Sequence, residues 1–394
     1  MSRPVDTPAP RVVLHVGAPK SGTTYLQRVL WRNRDELAGV GLTCPGSQQR
    51  AMFEAAVEVR GVAERWGMDP DGIAGTWARL CAEARAHPGT TVMSHEVLAA
   101  ASAEQAATAM AELEGLEVHV VFTAREVSRQ LVSEWQENVK NGSGQSFERF
   151  SRLVMKDASR SEHLFWRYQN VLGVLDRWGA GVPPERLHVV VAPVGGGDVT
   201  VLWRRFAEAC GLDPDVVANP VVSQSANQTL GMTQVRLLRR VVTSLDGRLQ
   251  QPDYARVVKR LFAQRVLAGQ SSDRPTCPPA LYDPLTELSR SWIGGVRERG
   301  YRVHGDLDEL LPVAPPADAR APDAVPAEEE IALAADAIAE LLLEVSHRPP
   351  PRKKAERADG AAPRPGPGVV PPAPRGRSLV RRTASRLRRL ARRR

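Results

Sequence analysis

An apolar run from Arg11 to Val16 stops at Gly17, and Ala18-Pro19-Lys20-Ser21-Gly22-Thr23-Thr24 then leads directly into a helix-period stretch beginning near Tyr25. A strand that passes to a helix through such a loop constrains the fold more than any other segment of the chain. Backbone N–H groups at a helix start point outward without partners, and the helix dipole adds roughly half a positive charge there. Anions bind at such turns. Gly22 lets the backbone approach an oxyanion closely, Thr23 and Thr24 offer hydroxyl donors, and Lys20 supplies a mobile full charge.

The spacing Gly17-x4-Gly22 is that of the Walker A loop, GxxxxGK[ST], with one difference. Thr23 occupies the slot of the Walker lysine, and Lys20 stands two residues before Gly22. A kinase loop wants its lysine after the second glycine and a carboxylate-held magnesium, so the displaced lysine argues against transfer of a γ-phosphate.

Further short apolar runs read as strands: Thr90 to Met93, Glu117 to Thr123 and Leu187 to Ala192. Helix-period stretches at Thr24 to Ala38, Ala103 to Leu113, Ser128 to Val139 and Phe165 to Trp178 supply the crossovers that parallel strands require. The expected fold is α/β and doubly wound, with ligands at the carboxyl ends of the strands. Residues 1–10 read as a disordered N-terminus, 11–313 as one catalytic-sized domain, 314–326 as a linker, 327–346 as an amphipathic helix and 347–394 as a disordered basic tail. In the helix, Ile331, Ala335, Ile338, Leu342 and Val345 form a stripe that either docks on the body or pairs two copies into a homodimer.

Charge separates body from tail. The net charge is +8, yet residues 348–394 hold 16 of the 53 Lys+Arg and only Glu356 and Asp359 among the acids. Residues 1–347 therefore carry 37 bases against 43 acids, so the basic balance is no evidence that the body binds nucleic acid. The stretch Ser378 to Arg394 places Val380, Ala384, Leu387 and Ala391 at helical spacing among arginines; a solvated tail is one reading, contact with an anionic membrane a second and contact with nucleic acid a third. Cys44, Cys81, Cys210 and Cys277 are widely spaced, with no metal-ligand pattern, and no stretch reaches the roughly 18 apolar residues of a membrane span. A cytoplasmic protein, reduced and metal-free, is expected, membrane-associated at the inner surface if the tail binds there.

Two more candidate sites fall at strand ends. Arg125 follows the Glu117 to Thr123 run and Ser133 lies eight residues on, along the next helix, where a guanidinium fork and a hydroxyl can jointly hold a second phosphate. Ser94-His95-Glu96 ends the Thr90 to Met93 run, and either His95 or Glu96 can serve as general base; the alternative is a helix start, with Ser94 as its cap and Glu96 in its first turn. Gln136 and Lys140, four apart on the Ser133 helix, share a face suited to a polar acceptor.

Pro19-Lys20-Ser21-Gly22-Thr23-Thr24-Tyr25, with Arg125 and Ser133 at their eight-residue interval, resembles the sulfotransferases that use 3′-phosphoadenosine 5′-phosphosulfate, in their bacterial, carbohydrate-type branch. The likeness runs over residues 11–312 and includes the closing stretch Gly300 to Leu307. It implies a P-loop NTPase-like three-layer fold, a central parallel sheet with helices on both faces, the first strand central and its neighbours carrying Glu96 and Arg125. It also implies that Lys20, Ser21, Gly22, Thr23 and Thr24 hold the 5′-phosphosulfate, Arg125 and Ser133 the 3′-phosphate, and that Tyr25 lies near adenine. The implied reaction is in-line transfer of a sulfuryl group to the hydroxyl of a carbohydrate or small natural product, without metal, with Lys20 at the leaving 5′-phosphate and Glu96, favoured over His95, as base. Two features depart from the resemblance: a Lys-Gly-x-x-Gly-Asp-Trp-Lys lid segment is absent, and Ala192-Pro193-Val194-Gly195 stands where a tyrosine often meets adenine. The rival readings are a P-loop kinase and a non-catalytic nucleotide-binding scaffold held at membranes by its tail.

Overall fold

The computed structural model describes residues 10–158, 162–194, 198–218, 220 and 229–347. The proposed N-terminal disorder of residues 1–9 and the whole basic tail from Arg348, with its arginine-rich stretch, lie outside the described residues.

Six parallel strands form one sheet: β1 (Arg11–His15), β2 (Leu42–Thr43), β3 (Thr90–Ser94), β4 (Glu117–Ala124), β5 (Leu187–Val191) and β6 (Arg302–His304). Their order is β2-β3-β1-β4-β5-β6. The chain thus winds from β1 to one side as far as β3, then crosses back to β4 on the other, and the crevice at the carboxyl ends beside β1 is the switch point where α/β sheets bind ligands. Register places His15 opposite Ser94 and Leu14 opposite Val120, so the ends of β3 and β4 flank the end of β1.

Successive residues of a strand face opposite sides, and β1 fills a core on each. Val12 and Leu14 join Met93, Val120, Phe122, Trp135 and Trp178 on one face, while Val13 joins Leu26, Val92, Val121, Trp203 and Phe206 on the other. Strands buried on both faces read as continuous apolar runs, which is why β1, β3, β4 and β5 were legible.

The helices differ from expectation at two asparagines. The stretch Thr24 to Ala38 is two helices, Thr23–Arg32 and Arg34–Gly39, because the Asn33 amide turns back to donate to the Val29 carbonyl at 2.7 Å as its backbone leaves the helix. Phe165 to Trp178 is likewise Leu164–Gln169 and Val171–Trp178; Asn170 is extended and caps the second by accepting from the Gly173 N–H.

The helix Ala327–Ser346 forms, but the stripe of Ile331, Ala335, Ile338, Leu342 and Val345 does not dock it. Ile331 is 69% exposed and Leu342 65%. A different face packs inward, carrying Glu330, Leu333 and Ala337. Glu330 accepts from Arg236 at 2.7 Å and Arg240 at 3.1 Å, and these ion pairs, with the small Ala337 allowing close approach, set the rotation. No helix among the described residues is long and apolar enough to cross a membrane.

Candidate functional site

The loop after β1 is fastened from three sides. Val16 N–H donates to the Val121 carbonyl and Ala18 N–H to the Thr123 carbonyl, extending the β1–β4 ladder beyond the strand. Gln130 and Gln169 both donate to the Pro19 carbonyl, at 3.0 and 3.1 Å. The Ser21 hydroxyl donates to the Ala18 carbonyl and meets the Thr123 hydroxyl at 2.6 Å. Lys20 is held at φ 66 and Gly22 at φ 99, left-handed backbone that is costly for a lysine and free for a glycine. A Cβ on Gly22 would lie 2.3 Å from a Leu202 methyl, and one on Gly17 2.5 Å from a Thr23 methyl. The helix Thr23–Arg32 begins with no side-chain cap and no acid in its first turn; the Tyr25 and Leu26 N–H groups donate to the Gly22 carbonyl, which leaves those of Thr23 and Thr24 as the ones free of a side-chain cap.

Arg125 stands just past β4 and donates to the Lys20 carbonyl at 3.0 Å, which brings two expected cation sites together. Burial pushes its guanidinium down to about 10, so it stays charged at neutral pH. Ser133 sits on the helix Val127–Lys140, three residues after Gln130 and four before Glu137, and therefore shares the face that holds the loop.

Sequence reasoning gave Glu137 no part in the loop, and the structure does. Lys20 Nζ donates to it at 2.6 Å and Lys259, from the π-helix Ala255–Val266, at 2.8 Å. Burial alone pushes the Glu137 carboxyl up, but the two lysines outweigh it and hold it at about 2. Its position four residues from Ser133 was the available signal.

His95 and Glu96 lie at the end of β3, beside the loop. Glu96 accepts from the Gln27 amide at 2.9 Å, and Gln27 belongs to the helix that the loop opens. Burial raises the Glu96 carboxyl, yet His95, backbone and Gln27 hydrogen bonds and His15 outweigh it, so Glu96 stays below the usual carboxylate range. His95 is pushed down by burial, against Glu96. A cap forms, but from His95 and not from Ser94: the His95 Nδ1 accepts from the Val97 N–H at 3.2 Å and caps the short helical turn that follows. A neutral ring with Nδ1 accepting carries its proton on Nε2. Beneath both, His15 bridges Ser94 at 2.8 Å and Thr123 at 3.3 Å, tying the ends of β3 and β4 to β1.

The remaining expected residues divide. Tyr25 packs against the core cluster that includes Trp203 and Phe206, its hydroxyl buried with no hydrogen-bond partner among the described residues, and burial with Asp198 nearby pushes that hydroxyl up to about 12. Gln136 is 3% exposed and donates to the Leu230 carbonyl. Lys140 is 8% exposed, and burial pushes its ammonium down to about 8. They share a face, as spacing requires, but that face is covered rather than open. Trp135 is core, its indole N–H donating to the Gln145 carbonyl. Gly195 lies outside the described residues. Among the described residues no group of three or more His, Cys, Asp or Glu is placed to hold a metal ion.

No family model matches the chain, no curated protein matches it, and no solved structure matches it.

Proposed function

We propose that the chain is a sulfotransferase that moves a sulfuryl group from 3′-phosphoadenosine 5′-phosphosulfate to an acceptor hydroxyl. The observation that carries this reading is the joining of Lys20, Arg125 and an uncapped helix start at the end of the central strand, with the Glu96 carboxylate at the end of the next. A strand order with β1 between β3 and β4, followed by this loop and helix, supports reading the fold as one of the P-loop type. The residues suit a donor with two separate phosphate groups. The loop N–H groups, Thr23 and Thr24 serve one anion, and Arg125 with Ser133 the other.

The donor supplies a sulfuryl group on a phosphate leaving group. Lys20 neutralises the charge that builds on the bridging oxygen as the sulfur–oxygen bond breaks. It must leave Glu137 to do so, and Glu137 keeps a partner in Lys259 when it does. Glu96 takes the proton of the acceptor hydroxyl as the new oxygen–sulfur bond forms. His95 presents an N–H in its neutral form and is the weaker candidate for base.

Adenosine 3′,5′-bisphosphate without magnesium is expected to stabilise the protein by about 2.7 kcal/mol at a hundredfold excess over its dissociation constant. Differential scanning calorimetry reads this directly. Stabilisation by ATP with magnesium and none by the bisphosphate overturns the proposal in favour of a kinase. The base is tested separately: Glu96→Gln is expected to slow transfer by on the order of 10²–10⁴, and His95→Asn by less. Undiminished turnover in Glu96→Gln removes Glu96 from the role. Turnover that survives deletion of residues 348–394 rejects the scaffold alternative.

A further inference from the structure

A cleft of about 450 Å³ opens between the helix Thr23–Arg32, the chain following β2, the helix Arg50–Arg60 and the end of β3. Its polar groups are unevenly placed. Gln27, Ser94 and His95 gather where β3 ends, and Gln49 and Arg50 stand exposed at the rim, where Arg50 is paired with Glu54. The walls between are Leu30, Trp31, Met52, Phe53 and Val92. The aromatic walls are held by neighbouring side chains. Phe53 lies 5.2 Å from the His95 ring and takes the Trp66 ring edge-on at 5.1 Å, while the Arg34 guanidinium covers one face of Trp31 at 4.3 Å.

Two properties decide what fits. Gln27 lines the cleft and also donates to Glu96, so the polar end of the cleft abuts the proposed base. Along the walls there is little to pair with the ring of hydroxyls that a free sugar carries, and a hydroxyl desolvated without a partner opposes binding. A flat apolar ring instead meets aromatic faces and removes their surface from water. The volume lies within the range of small-molecule sites.

We infer that this cleft receives the acceptor, and that the acceptor is a hydroxylated compound with a flat apolar ring body, presenting its hydroxyl to Glu96 past Gln27 and His95. The acceptor role rests on the proposed sulfuryl transfer; the ring-binding preference does not. Gln136 and Lys140, covered on the far helix, take no part in it.

The test uses the full chain with 2-naphthol and glucose as probes, by titration calorimetry with and without adenosine 3′,5′-bisphosphate. The expected result is that 2-naphthol binds and glucose does not, that Trp31→Ala weakens 2-naphthol binding by roughly tenfold, and that Trp31→Phe restores most of it. Sulfate transfer from the donor then goes to 2-naphthol and not to glucose. Unchanged melting temperatures for the two Trp31 variants exclude loss of fold as the cause. Bisphosphate binding with no 2-naphthol binding, or with binding indifferent to Trp31→Ala, overturns the cleft inference and leaves the donor reading standing. Binding of 2-naphthol sensitive to Trp31, with no bisphosphate binding, overturns the donor reading and with it the acceptor role.

Discussion

Lys20→Ala is expected to slow sulfuryl transfer by on the order of 10²–10³ while leaving the fold intact. Lys20 is the one lysine on the loop, so its removal leaves the charge growing on the leaving phosphate without a mobile cation beside it. Its backbone sits at φ 66, where alanine pays the same penalty as lysine, so the loop gains no new strain. Its departure does not leave Glu137 bare, because Lys259 donates to the same carboxylate at 2.8 Å. Calorimetric binding of the bisphosphate is expected to weaken far less than transfer, since the loop N–H groups, Arg125 and Ser133 remain. Turnover in Lys20→Ala within about tenfold of the wild-type rate would remove Lys20 from the chemistry.

Lys20→Arg is not expected to rescue the rate. A guanidinium is wide and planar where the ammonium is a compact point charge, and it would make a fork with Glu137 that the lysine does not. Recovery of a near wild-type rate by the arginine variant would mean that charge alone, and not its placement, is what the loop supplies.

The parts of the fold that could be read were those whose cause is local. β1, β3, β4 and β5 are apolar because both of their faces are covered, and their ends fell within a residue of the expected limits. β2 and β6 span two and three residues at the sheet edges and carry no such signal. The loop from Pro19 to Thr24 was legible because its function lies in consecutive residues. Gln130, Gln169, Glu137, Lys259 and Gln27 were not, since each acts on the loop or on Glu96 from a distant segment that only tertiary packing brings near. Helical spacing showed rightly that Gln136 shares a face with Lys140, and Ile331 with Leu342, but periodicity alone does not say which face turns inward. In the last helix the inward face was chosen by Arg236 and Arg240, about ninety residues earlier in the chain.

Acidification is expected to unfold the protein through its buried histidines well before most carboxylates titrate. His15 is 1% exposed, and burial pushes it down to about 4, with Glu96 opposing. His188 is 2% exposed and is pushed down to about 3, by burial first and then by His304 and His119. His188 lies between those two across β4, β5 and β6, meeting His119 at 2.9 Å and His304 at 3.1 Å, so a charge gained there faces two more imidazoles. In the unfolded chain each histidine takes its proton near 6.5. Below that pH the unfolded state therefore binds more protons than the folded one, and stability present above about pH 6.5 is lost as the pH falls towards 4 and 3. At 1.36 kcal/mol per pH step for each proton, His15 and His188 each withdraw roughly 3 kcal/mol by about pH 4, against a total stability on the order of 5–15 kcal/mol. Below the ordinary carboxylate range Glu137 adds to the loss, because its lysine partners hold it ionised to about 2. Glu126 and Glu134, raised by burial, work in the opposite sense and soften the fall. Urea unfolding at about pH 7 and pH 4.5 measures the difference, and His188→Gln is expected to flatten it by about half. A wild-type unfolding free energy unchanged between those two conditions would mean that the interior tolerates the protonated rings, and that burial does not hold these histidines neutral.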